Sequence, residues 1–128
     1  SIGIEALSRG ARDVIFNDLS KDAVKIIKAN LLKFKEERRV FNLDYLSCLN
    51  RLEGNKFDYV FIDPPYAFEE YEKIFETIDS LNLFSDDCRI IVEVKKEKEL
   101  ADELFSFEKY KEKKYGISKL LYYRRKNV

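Results

Sequence analysis

Tyr59-Val60-Phe61-Ile62-Asp63-Pro64-Pro65-Tyr66 is the stretch whose reading decides the fold. Its first four residues have the length and the β-branched and aromatic content of a strand inside a sheet. The two prolines end that strand, because neither has a backbone N–H to give to a ladder. Proline also restricts the residue before it, so Asp63 is held extended. A carboxylate, stiff backbone carbonyls and an aromatic ring are thereby delivered to the carboxyl end of a central strand. Open α/β sheets bind their ligands at that edge.

Such a loop suits methylation of an exocyclic amino group on a base. The lone pair of a conjugated amine is delocalised into the ring, which makes the nitrogen a poor nucleophile. The Asp63 carboxylate and the Pro64 carbonyl can accept its two hydrogens and draw the nitrogen toward a tetrahedral shape. Acceptors fixed in advance by Pro64 and Pro65 favour the positive charge that develops there. Tyr66 can stack on the base and hold it in line with a methyl donor. The competing interpretation is a strand-ending turn with no chemistry, and the surrounding sequence weighs against it.

Working outward, Ser1–Gly10 is expected to form a short helix, with Ile2, Ile4 and Leu7 on one face and Gly10 as its left-handed terminator. Arg12–Asn17 reads as a strand ending at Asp18. Ser20 can cap a helix in which Ala23, Ile26, Ile27, Leu31 and Phe34 recur at three-to-four spacing. Val40–Leu43 is a third expected strand, ending in Asp44-Tyr45, and a brief helix carries Leu46, Leu49 and Leu52. Gly54-Asn55 turns the chain into the strand Phe57–Asp63. A helix over Phe68–Leu83, a strand over Cys88–Val94 and a helix over Lys96–Leu104 follow. Phe107–Tyr115 and Ser118–Arg125 flank Gly116-Ile117 as a hairpin. Strand and helix alternate five times before that hairpin. The pattern predicts one α/β domain over residues 1–128, with a mostly parallel sheet, helices on both faces and antiparallel pairing at one edge.

Composition narrows the function. The 128 residues are 45% hydrophobic and 38% charged, as in a soluble globular chain. No apolar run approaches the roughly 20 residues that span a bilayer, and no secretory leader pattern is present. The expected location is cytoplasmic. The chain has no histidine, which removes histidine-based mechanisms. The two cysteines, Cys48 and Cys88, stand far apart, so no zinc or other metal site is expected. They read as small core residues in a reducing compartment. Net charge is zero, but from Phe107 to Val128 eight basic residues face two acids. That basic segment suits either phosphate attraction or strands protected against aggregation.

Three expected strands each end in an acid: Asp18, Asp44 and Asp63. In a parallel sheet these ends line one edge, so the three would share one cleft. Asp18, about 15 residues beyond the first glycine, has the spacing of an acid that holds ribose hydroxyls. Asp44 is then placed to accept from an adenine amino group, with Leu19 and Tyr45 covering the ring faces. Singly, each acid reads more simply as a helix cap or turn residue.

The run Ser1-Ile2-Gly3-Ile4-Glu5-Ala6-Leu7-Ser8-Arg9-Gly10-Ala11, followed by Asn17-Asp18 and Asp63-Pro64-Pro65-Tyr66, resembles the RsmD-type 16S ribosomal RNA guanine-N2 methyltransferases. These belong to the class I, Rossmann-like, S-adenosylmethionine-dependent methyltransferases, and the likeness runs along the whole chain. It implies that Gly3 lies in the tail of the glycine-rich loop around the methionine part of the cofactor. It also implies that Asp18 holds the ribose, that Asp44 approaches the adenine, and that Asp63 to Tyr66 grip the target amine. The implied substrate is the N2 of a guanine in 16S ribosomal RNA, within a small-subunit particle, and the protein is expected to act as a monomer. In that family a first strand, the glycine-rich run and a basic RNA-contacting segment precede the residue matching Ser1. The chain also contains no methionine. The expectation is therefore the remainder of a longer protein that lacks that strand and loop.

Two other readings compete. A DNA adenine-N6 or cytosine-N4 methyltransferase shares the acid-Pro-Pro-aromatic loop and also extracts its base, but the sequence has no insertion the size of a target-recognition segment. A non-catalytic scaffold that keeps the fold without turnover is the second. A nicotinamide dehydrogenase fits less well, since the proline pair has no role in hydride transfer.

Overall fold

Burial alternates along Phe57–Asp63: Val60 and Ile62 are buried, while Tyr59 and Asp63 are exposed. This is the period-two signature of a strand with one face on a core. The computed structural model describes residues 3–7, 14–18, 25, 28, 39–41, 43–63 and 69–126, the first three strands as backbone alone. In order, the elements are β1 (Gly3–Leu7), β2 (Val14–Asp18), β3 (Arg39–Phe41), α1 (Tyr45–Arg51), β4 (Phe57–Asp63) and α2 (Tyr71–Ser80). They continue with β5 (Phe84–Lys95), β6 (Glu103–Leu104), β7 (Phe107–Tyr115) and β8 (Ser118–Arg125).

The eight strands form one sheet in the order β3-β2-β1-β4-β5-β8-β7-β6. Strands β2 and β3 pair in parallel, as do β4 and β5. The other pairings among the described residues are antiparallel. The sheet is therefore mixed rather than mostly parallel, and two expectations fail for identifiable reasons.

The first concerns Ser1–Gly10, where Gly3–Leu7 is a strand and not a helix. It lies between β2 and β4, antiparallel to both. Five residues with apolar side chains at Ile4 and Leu7 are too few for periodicity to separate strand from helix. The facing edges of β2 and β4 both carry backbone groups that need partners, and this segment supplies them on either side.

The second is Lys96–Leu104, which turns at Lys96-Glu97 and then runs irregularly into β6. Groups from the hairpin take the carbonyls that a helix would use internally. The Tyr123 hydroxyl donates to the Ala101 carbonyl at 2.8 Å and Lys109 Nζ to that of Leu100 at 3.2 Å. The Lys109 amide donates to the Asp102 carbonyl at 2.7 Å. Lys119, fully buried, reaches Glu99 at 3.2 Å and thereby fixes the same segment. Tertiary donors override local helix propensity here.

The remaining elements follow the sequence closely. The strand Phe57–Asp63 and the hairpin strands have the expected bounds. The helix expected over 68–83 spans Tyr71–Ser80 and buries Tyr71, Ile74, Phe75 and Ile78. Of the helix expected from Ser20 to Phe34, only Lys25 and Lys28 are described, both helical and exposed; the rest lies outside the described residues. Both α1 and α2 contribute to a single core cluster with Val60, Ile62, Ile90, Val92, Leu121 and Tyr123.

Aromatic packing anchors that core. The Phe75 ring meets Tyr123 at 4.8 Å and Phe107 at 6.0 Å between centroids, both edge-on. Phe107 in turn meets Phe84 at 5.0 Å. One side chain of α2 thus ties the helix to β7 and β8 at once. Phe75→Ala should destabilise the protein by about 3–5 kcal/mol, the usual cost of emptying an aromatic core site. Ile117→Ser, at a residue 70% exposed, should change stability by less than about 0.5 kcal/mol. Equilibrium urea unfolding of the two variants measures both.

Candidate active site

The carboxyl ends of β2, β3, β4 and β5 share one edge of the sheet, because β2 and β4 both run opposite to the β1 strand between them. In that register Gly3 is the partner of Asp18 on one side and of Asp63 on the other. Three of the residues singled out in the sequence therefore stand at one level on adjacent strands. With strands about 4.8 Å apart, the Asp18 and Asp63 backbones lie roughly 10 Å from each other. Asp63 is exposed and shares its strand face with Tyr59 and Phe61, while Val60 and Ile62 point into the core.

Pro64, Pro65 and Tyr66 lie outside the described residues, as does Leu19. The described chain resumes at Glu69, where side-chain contacts hold it. The Tyr45 hydroxyl donates to Glu70 at 2.7 Å. Lys98 donates to Glu69 at 2.8 Å and sits 5.7 Å from the centroid of the Tyr71 ring. The Lys98 hydrogen bond and charge hold the Glu69 carboxyl below its usual range. Three side-chain contacts thus hold Glu69, Glu70 and Tyr71 at the start of α2.

Asp44 caps α1. Its carboxylate accepts from the Ser47 amide at 2.9 Å and from the Ser47 hydroxyl at 2.8 Å. The backbone bond, then the side-chain bond, lowers its pKa. The simple interpretation of this acid as a helix cap is therefore correct. The side chain is exposed, and a carboxylate retains lone pairs beyond those two bonds, so capping leaves room for a further donor. Tyr45, next in the chain, does not present its ring at the surface. It is 5% exposed within the core cluster, and burial followed by the bond to Glu70 raises its hydroxyl pKa to about 12.

Glu93 and Tyr115, which the sequence reading did not single out, also stand at this edge. Val92 pairs with Ile62 in the parallel register, which places Glu93 beside Asp63 on the same strand face. Tyr115, at the end of β7, donates its hydroxyl hydrogen to Glu93 Oε1. That bond, with the charges of Glu93 and Asp63, raises the Tyr115 pKa to about 12. The signal was available in principle. Counting β5 in steps of two from its buried residues puts Glu93 on the face of Asp63, but only once the register is known.

Other features lie away from this edge. Cys48 and Cys88 are free and buried, and desolvation raises both thiols to about 12, so neither is a ready nucleophile. Among the described residues no cluster of three or more His, Cys, Asp or Glu side chains could hold a metal ion. No described helix is long and apolar enough to cross a membrane. Much of the basic charge near the end of the chain is paired locally. Lys109, Lys119, Arg124, Arg125 and Lys126 each have an acidic partner. A cavity of about 450 Å³ lined by Lys56, Asn82, Ser85 and Arg125 opens where β4 and β5 begin, the opposite end from Asp63.

Ribosomal RNA small subunit methyltransferase D of Haemophilus influenzae is 36% identical over 104 residues, covering 78% of this chain and 54% of its own length. YlbH of Bacillus subtilis, provisionally named an rRNA methyltransferase, is 28% identical over 129 aligned positions, covering 98% of this chain and 70% of that protein. The chain thus spans 54% and 70% of the length of these two relatives. Among solved structures, a conserved hypothetical protein from Streptococcus pyogenes superposes with a TM-score of 0.82 at 30% identity, covering 88% of this chain and 71% of that one. The Haemophilus influenzae protein HI0767, described as a methylase, gives 0.75 at 30% identity, with 91% and 74% covered. The family model described as conserved hypothetical protein 95 matches residues 1–124, and the chain belongs to that family, the one that contains the RsmD-type methyltransferases.

Proposed function

We propose that the chain is the methyltransferase domain of an enzyme that methylates the exocyclic N2 of a guanine in 16S ribosomal RNA. The observation that carries this reading is the shared level of Asp18, Gly3 and Asp63 at the carboxyl edge, with exposed Asp63 leading directly into Pro64-Pro65-Tyr66. The donor set suits S-adenosylmethionine: a strand-end acid at Asp18 for vicinal hydroxyls, and an exposed acceptor at Asp44 for an amino group. When bound, that cofactor supplies an electrophilic methyl group on a sulfonium sulfur.

The chain's own residues do the rest. Asp63 and the Pro64 carbonyl accept the two amine hydrogens, which frees the nitrogen lone pair and stabilises the positive charge it acquires. Pro65 keeps the turn stiff, so the acceptors need not reorganise during the reaction. Tyr66 stacks on the base after it leaves its own stack. Gly3 and Leu19 are the residues that would lie against the bound cofactor, as the family resemblance implies. Tyr45 has its hydroxyl engaged by Glu70, so it acts by fixing the start of α1 and hence Asp44. Names of the relatives support ribosomal RNA as the substrate, and a cytoplasmic, monomeric enzyme acting on a small-subunit particle fits that role. They favour RNA over the DNA alternative.

Asp63→Ala should lower kcat by about 10²–10³ and leave S-adenosylmethionine affinity nearly unchanged. Asp18→Ala should weaken that affinity and spare turnover at saturating cofactor. Radiolabelled methyl transfer to unmethylated small-subunit particles, alongside calorimetric titration of the cofactor, tests the pair. Full turnover by Asp63→Ala would remove the amine-gripping role. Tyr66→Ala should weaken capture of the base by about 1–3 kcal/mol, visible as a raised KM for particles, whereas Tyr66→Phe should be mild.

A further inference from the structure

We propose that the sheet face turned away from α2 is a stacking platform for a single-stranded segment of the RNA substrate. The inference deepens the reading above and rests on it, because it names the part of the RNA held beside the target base. Ile62, Val92, Leu121 and Tyr123 are fully buried on the α2 side, so their strand neighbours point to the other face. The register sorts those neighbours into rows. Tyr59, Arg89 and Arg124 are successive partners across β4, β5 and β8, with Glu108 next on β7. Phe61, Ile91 and Tyr122 make a second row that ends at Lys111. A register shift between Lys109 and Lys111 brings Tyr110 to this face as well, its ring centroid 6.2 Å from that of Tyr122.

Rings and positive charge alternate on this face. Tyr59 is 44% and Tyr110 39% exposed. The Arg89 and Arg124 guanidinium carbons lie 5.5 and 5.2 Å from the Tyr110 centroid, and Lys111 Nζ lies 5.1 Å from that of Tyr122. Arg89 and Arg124 stand directly opposite each other on paired strands, a placement that is unfavourable for like charges. Glu108 offsets Arg124 at 3.2 Å, whereas Arg89 donates to the backbone carbonyls of Asp87 and Cys88. Lys113, opposite Leu120, extends the same face. Among the described residues Arg89, Lys111 and Lys113 have no acidic partner. Lysines that only guard a strand against aggregation need no rings beside them, and exposed tyrosines on a sheet work against that end.

An occupant with flat π-faces and an anionic backbone uses both features, and single-stranded RNA has both. Unpaired bases stack on aromatic side chains with little regard to sequence, while interleaved cations follow the phosphates. A duplex keeps its bases stacked on one another and leaves the rings without a partner. A second copy of this chain docked through the same face would set its arginines against these. The row that begins at Tyr59 lies four residues before Asp63, about 13 Å along β4. RNA lying on the platform is therefore the stretch that flanks a base presented at the carboxyl edge.

The test measures, by fluorescence anisotropy, binding of the full-length protein to a single-stranded oligoribonucleotide of about 10 nucleotides and to a duplex of the same sequence. Tyr110→Ala should weaken single-strand binding about 5- to 150-fold, the usual worth of one stacked base, and leave duplex binding nearly unchanged. Tyr110→Phe should bind like the wild type. Lys113→Gln, at an exposed side chain, should reduce the slope of log affinity against log salt by about 0.7, and it keeps the test decisive if Tyr110→Ala folds poorly. Tyr110→Ala and Lys113→Gln should both raise KM for small-subunit particles and spare kcat. Equal losses on single strand and duplex, or an unchanged salt slope in Lys113→Gln, would overturn the platform. Self-association that Tyr110→Ala abolishes while RNA affinity stays would overturn it too, in favour of a second copy. Wild-type protein that binds the single strand but methylates no particle would instead overturn the amine-methylating reading and leave the platform standing.

Discussion

Burial of Val60 and Ile62 on one side of β4 compels Asp63 to the other, because successive side chains on a strand face opposite ways. Everything at the candidate site inherits from that constraint. The apolar side packs against α2 and carries the Phe75–Tyr123–Phe107 contacts. The other side meets the edge where Asp63 emerges. A one-residue slip of β4 would bury a carboxylate and expose Ile62, so core packing and the placement of the acid are enforced together.

The same logic extends across the sheet. Pairing of β4 with β5 sets Glu93 beside Asp63, and the hairpin then brings Tyr115 back to Glu93. Strand β1 joins β2 to β4 and fixes the level at which Asp18 stands relative to Asp63. Contacts from Tyr45 and Lys98 hold the start of α2.

Legibility of the sequence varied with how far each feature depended on distant partners. The strand ending at Asp63, the helix burying Ile74 and Phe75 and the hairpin about Gly116-Ile117 were all readable, because period and turn chemistry are local. Gly116, at φ 55°, occupies the left-handed conformation that glycine tolerates. The strand at Gly3–Leu7 was not readable, since it exists to satisfy two facing edges far away in sequence. Nor was the irregular path after Lys95, where Tyr123, Lys109 and Lys119 impose their own partners. At the candidate site, the strand-end positions of Asp63 and Asp18 were readable, and the capping bonds of Asp44 followed from its position before a helix. Glu93 needed the register, and the burial of Tyr45 needed the packing of α1 against the core.

The central claim is that the sheet edge unites Asp18, Gly3, Asp44 and Asp63 in one cofactor-facing site. Titration of S-adenosylhomocysteine into the ¹⁵N-labelled protein, followed by backbone amide shifts, tests it most directly. The account predicts that these four amides move together with one dissociation constant, while Lys56, Asn82 and Ser85 at the far end of β4 and β5 stay still. Shifts confined to that far end, or an Asp63 amide that ignores a ligand moving Asp18, would contradict it.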